Sequence, residues 1–103
     1  MTRLVSLAAA ALSLAAIMPA TAQTQSGAHY AATAVEAPGK SSFVTQNTIW
    51  KCKDAVCTAP RAASQDKVVC ERVVRNVGTL SAFTAGGTAF DAEALAACNA
   101  RAR

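Results

Sequence analysis

Four cysteines, Cys52, Cys57, Cys70 and Cys98, all fall in the second half of a 103-residue chain whose opening residues read as an export leader. An even cysteine count in a small exported protein reads as a disulfide framework. That constraint governs the rest, because the chain has little else with which to hold a fold. Its larger core candidates are Ile49, Trp50, Val56, Val69, Val73, Val74, Val77, Leu80, Phe83, Phe90 and Leu95. Much of the remaining apolar content is alanine, which buries little area. Domains of this size leave much of their surface wet and usually need covalent help.

The leader is read from order. Met1-Thr2-Arg3 supplies one positive charge, and an uncharged Ala/Leu-rich run continues to Met18. Pro19 breaks the run, and Ala20-Thr21-Ala22 offers small residues for a peptidase. Residues 1–22 are therefore predicted to be a signal peptide, cut after Ala22 to leave Gln23 first. Spanning a bilayer takes about 20 apolar residues. Leu4 to Met18 is shorter, so no transmembrane anchor is expected after processing. The first cysteine is Cys52, so a lipid cannot be attached at the cut.

Removing 22 of the 103 residues leaves 81, one domain at most. The mature part carries nine Lys/Arg against six Asp/Glu, a net +3. The basic residues are scattered rather than striped, so specific nucleic-acid binding is not expected.

Residues 23–42 hold few large apolar groups and read as a flexible amino-terminal arm, with Tyr30 and Val35 docking locally. The domain proper is predicted to occupy residues 43–103. Phe43 to Trp50, rich in β-branched and aromatic residues, reads as a strand. Lys53-Asp54-Ala55 reads as a turn, and Val56-Cys57-Thr58 as a return strand stopped by Pro60. This hairpin brings Cys52 and Cys57 near bonding distance.

A helix is predicted next, capped by Ser64 with Asp66 in its first turn. At 100° per residue Val69, Cys70, Val73, Val74 and Val77 share one arc. Glu71 and Arg75 are spaced to pair, and Gly78 closes the helix. Thr79 to Ala85 reads as a strand, Gly86-Gly87 as a turn, and Thr88-Ala89-Phe90 as its return. Asp91 caps a second helix, with Phe90 placed to staple onto Leu95. Leu95, Cys98 and Ala102 share a face of that helix. Inward cysteines on the two helices favour a Cys70–Cys98 bridge, although four cysteines allow three pairings. The expectation is an α+β domain, disulfide-stabilised, of order hairpin-helix-hairpin-helix, with helices on a short antiparallel sheet.

No reaction centre is legible. A thioredoxin-type site needs Cys-x-x-Cys, and a zinc site needs close ligand pairs; Cys52-x4-Cys57 with distant Cys70 and Cys98 supplies neither. His29 is the single histidine, with no positioned acid beside it. A cut after Ser26 would expose Gly27-Ala28-His29, a triplet able to wrap copper(II) in a planar nitrogen set, but Ala22 is the better site. Trp50 with Lys51 and Arg61 could form an aromatic-cation patch; the commoner role of such a tryptophan is to fill the core. Asp54, Asp66, Glu71, Asp91 and Glu93 have local explanations as turn, helix-start, ion-pair and cap residues. Gly86-Gly87 is too short to cradle phosphate.

The segments Thr48-Ile49-Trp50-Lys51-Cys52, Val56-Cys57-Thr58-Ala59-Pro60-Arg61, Val69-Cys70, Leu80 to Gly87 and Leu95-Ala96-Ala97-Cys98-Asn99 resemble a family of small uncharacterised exported proteins with four cysteines from alphaproteobacteria of the sphingomonad and caulobacter kind. The resemblance runs from about Tyr30 to the carboxyl end. It implies a bacterial, envelope-side location and brings no mechanism.

The functional expectation is thus a non-enzymatic periplasmic or secreted module that binds an envelope or extracellular protein or ligand. No catalytic, cofactor or metal residue is assigned. A secreted inhibitor presenting the Cys52–Cys57 hairpin is the alternative, and a metal- or redox-handling thiol protein a third. Intact mass of the chain recovered from the envelope is expected to lack residues 1–22 and to gain two hydrogens per bridge on reduction, for two bridges. A full-length, fully reduced chain would overturn both expectations.

Overall fold

The computed structural model describes residues 28–102; the expected leader and the start of the expected arm lie outside them. Six antiparallel strands form one sheet in the order β2-β3-β4-β1-β5-β6. They are β1 Tyr30–Ala34, β2 Ser42–Thr45, β3 Thr48–Lys53, β4 Val56–Ala59, β5 Leu80–Ala85 and β6 Thr88–Ala89, with helices α1 Asp66–Val77 and α2 Ala92–Asn99. Strands β1 to β4 follow a Greek-key path. Helix α1 then crosses from β4 to β5, which lies on the other side of β1.

The expected α+β order is present, with one addition. Residues 30–34, expected within an arm, form the central strand β1, hydrogen-bonded to β4 on one side and β5 on the other. Alanine is a poor strand former, yet here it is what the place requires. Ala32 and Ala34 point inward and are buried, and small side chains at the centre leave room beneath the helices. A second difference concerns Phe43 to Trp50. It is two strands joined at Gln46-Asn47, where Gln46 takes φ 53.

The inward face is built on aromatics. Phe43 lies opposite Trp50 on the neighbouring strand, with rings parallel at 5.7 Å. Trp50 stacks on Tyr30 at 5.7 Å, across β4, whose Ala59 is small enough to permit it. Tyr30 stacks on Phe83, and Phe90 meets Phe83 edge-on at 4.8 Å. The chain has one tryptophan, one tyrosine and three phenylalanines, so this row uses every aromatic residue it possesses. The Trp50 indole donates to the buried Thr45 hydroxyl at 2.9 Å, which satisfies its polar edge.

Both helices cover this row. Val69, Cys70, Val73 and Val74 form the buried stripe of α1, as their spacing predicts. The cap differs from expectation: Gln65 occupies the cap position with no side-chain hydrogen bond, while the Ser64 hydroxyl accepts from Arg72 Nη1 at 3.0 Å. Gly78 ends the helix at φ 83. The Asp91 carboxylate caps α2 by accepting from the Ala94 amide at 2.7 Å. Glu71 pairs with Arg101 at 4.0 Å rather than with Arg75, so its partner comes from beyond α2 rather than from its own helix.

Two disulfides complete the assembly. Cys52–Cys57 joins directly opposed residues of β3 and β4, and Cys70–Cys98 joins α1 to α2. Asn99 adds a polar latch: its side chain accepts from the Leu80 amide at 2.8 Å and donates to the Leu80 carbonyl at 2.9 Å, pinning the end of α2 to β5.

The bridges close loops of unequal length, with sequence separations of 5 and 28. By loop entropy the shorter contributes about 2 kcal/mol and the longer about 3–4 kcal/mol. Cys70→Ala/Cys98→Ala is therefore expected to lower the denaturation free energy more than Cys52→Ala/Cys57→Ala. Equal or reversed losses in urea titrations would refute that ranking.

Candidate functional site

Two surfaces could carry function. One is an open hollow of about 970 Å³ beneath the loop from β4 to α1, lined by His29, Tyr30, Arg61, Ser64 and Asp66 among others. The other is the face of the sheet that the helices leave bare.

Tyr30 organises the hollow. Its ring belongs to the core, while its hydroxyl accepts from the Ala62 amide at 3.2 Å and donates to the Ala62 carbonyl at 3.4 Å. This holds the connecting loop against the sheet. His29 is fixed by its backbone: its amide donates to the Ala59 carbonyl and its carbonyl accepts from the Gly86 amide. Its ring meets Tyr30 edge-on at 4.6 Å. Gly86 sits at φ 57, and a Cβ there would come within 3.0 Å of the His29 ring. One imidazole, one guanidinium and one carboxylate line the hollow, but no hydrogen bond or ion pair joins any two of them among the described residues.

The copper idea also meets an obstacle. A planar nitrogen set at Gly27-Ala28-His29 would need the His29 backbone nitrogen, which donates to Ala59. Gly27 lies outside the described residues. The Trp50, Lys51 and Arg61 patch is not brought together. Neighbouring strand residues face opposite sides, so Trp50 is fully buried inward while Lys51 is exposed on the bare face. Arg61 belongs to the hollow. The four cysteines are all bonded, and no free cysteine is present among the described residues.

The bare face follows from the same alternation. Trp50 inward places Ile49, Lys51 and Lys53 outward on β3. Across from them stand Val44 of β2, Thr58 and Val56 of β4. Ile49 and Val56 were expected in the core; they are instead 58% and 41% exposed, and Val44 is 59% exposed. The reason is geometric: one face of the sheet is covered, and the aromatic row claims it. Further along the bare face, Ala31 and Thr33 of β1 and Ala82 and Thr84 of β5 are small. Lys51 and Lys53 are the sole charged residues in the six strands, and no strand residue is acidic. The carboxylates lie elsewhere: Asp66, Glu71, Asp91 and Glu93 in or at the helices, Glu36 in the loop after β1, and Asp54 in the β3–β4 turn.

The model of one protein family matches residues 9–100. The chain belongs to DUF8200, a family of unknown function. No curated protein and no solved structure matches it. Membership of DUF8200 spans all eight elements of the fold, and it assigns neither an activity nor a ligand. No helix among the described residues is long and apolar enough to cross a membrane.

Tyr30→Phe keeps the ring and removes the hydroxyl. It is expected to cost about 1 kcal/mol and to speed hydrogen exchange at the Ala62 amide. Unchanged exchange there would show that the loop is held by something else.

Proposed function

We propose that this DUF8200 chain is a non-enzymatic, exported binding module of an oxidising compartment, periplasmic or secreted, and that it binds through the bare face of its sheet. The observation that carries the reading is the exposure of Val44, Ile49 and Val56 together on one face. A sheet face turned to water usually alternates to polar residues. Here three β-branched aliphatics share an exposed corner with two lysines, and clustered exposed apolar groups mark interaction sites. Two disulfides support the oxidising compartment.

The inhibitor alternative draws less support. Its hairpin, β3–β4, is flanked by β2 and β1 and turns in two residues. It lies within the sheet rather than projecting as a loop. The thiol alternative would need a reactive sulfur, and Cys57, Cys70 and Cys98 are buried as well as bonded.

The test uses exported protein tethered to beads and exposed to envelope extract, alongside the double variant Val44→Ser/Ile49→Ser. Both side chains are exposed, so the variant is expected to keep the thermal unfolding profile of the parent to within a few degrees. The parent should retain an envelope component that the variant retains at least tenfold less. Equal retention by the two chains would reject the bare face as the binding surface.

A further inference from the structure

Taking that face as the binding surface, we infer that what it docks on is an anionic phospholipid surface. The inference rests on how charge is divided between the two layers. The six strands hold no carboxylate, and their two charged residues, Lys51 and Lys53, both point away from the helices. Four of the six acids belong to the helical layer. The helical layer also carries Lys67, Arg72, Arg75 and Arg101, so its charges balance, whereas the exposed sheet face presents ammonium groups with Asp54 in the adjoining turn as the one acid beside them; the net attraction of an anionic plane is therefore to the sheet side.

The apolar groups sit where such docking would use them. Lys51 lies two residues from Ile49, and Lys53 stands opposite Val56. Ile49 in turn stands opposite Val44. The aliphatic groups and the ammonium groups therefore share one exposed corner. Peripheral attachment combines shallow burial of apolar side chains with attraction of lysines to anionic headgroups. It requires point charges and aliphatic surface, and it does not require a pocket.

A protein partner would be expected to find different residues. Protein interfaces are enriched in aromatics and arginine and depleted in lysine, and their strongest contacts are buried Trp, Tyr and Arg. All aromatics of this chain are committed to the inward row or its end. The strands carry no arginine. The chemistry on the face thus favours a lipid headgroup layer over an acidic protein.

The experiment is co-sedimentation of the exported protein with vesicles of phosphatidylcholine alone and of phosphatidylcholine mixed with phosphatidylglycerol, at low and high salt. Three chains are compared: the parent, Lys51→Gln/Lys53→Gln, and Val44→Ser/Ile49→Ser. All share the same amino-terminal residues, so differences between them report the face. The parent should bind the phosphatidylglycerol vesicles, weakly bind the neutral ones, and release in high salt. Neutralising both lysines should weaken its partition about thirtyfold, at roughly fivefold per lysine. Equal binding to both vesicle types, or unchanged binding by the lysine variant, overturns the inference. Failure to bind vesicles, joined with loss of envelope capture in the serine variant, overturns the lipid assignment and leaves the face as a protein-binding surface. Failure to bind vesicles with capture unaffected removes both.

Discussion

A single row of aromatic rings decides which way the sheet faces. Phe43, Trp50, Tyr30 and Phe83 project to the same side, and Phe90 closes the end. Such rings carry most of the area a small chain can bury. Once they are inward, the pleat sends every alternate residue outward. The helices then have one face to cover, and their valines and cysteines do so. Ala59 and Ala85, which flank Tyr30 in its row, keep the rings close by being small.

The disulfides act on this arrangement at different ranges. Cys52–Cys57 holds neighbouring strands that are already paired. Cys70–Cys98 joins two helices that the sheet alone would tie less firmly, and Asn99 fastens α2 to β5 at the same end. The covered side is thus anchored covalently, by hydrogen bonds and by packing. The bare side carries no comparable commitment among the described residues.

The sequence reveals what depends on local spacing. The stripe on α1, the Gly86-Gly87 turn and the Asp91 cap follow from periodicity and turn chemistry, and each is present; the two cysteine pairings that spacing favours among three are the ones formed. What it hides depends on distant partners. β1 reads as featureless because alanine and threonine give no amphipathic signal, and its strand character comes from β4 and β5 on either side. Gln46-Asn47 lacks the glycine that usually marks a hairpin, so β2 and β3 read as one strand. Ser64 is drawn from its cap by Arg72, and Glu71 from Arg75 by Arg101, both through tertiary contacts. The exposed corner was partly legible. With Trp50 inward, period two already places Ile49 outside; hydrophobicity alone assigned it to the core.

The order of the strands in space has a consequence for how the chain is completed. The first of the described strands lies in the middle of the sheet, and Tyr30 finds its second neighbour only when Ala85 has been made. Cys70 likewise waits for Cys98, near the end. A nascent polypeptide lacking its final third has a bare central edge and no latch between helices, and closing such distant pairs is slow. Until Ala85 and Cys98 are made, β1 stays an edge strand and the two helices stay unlinked, so the last third of the chain closes both the sheet and the layer above it.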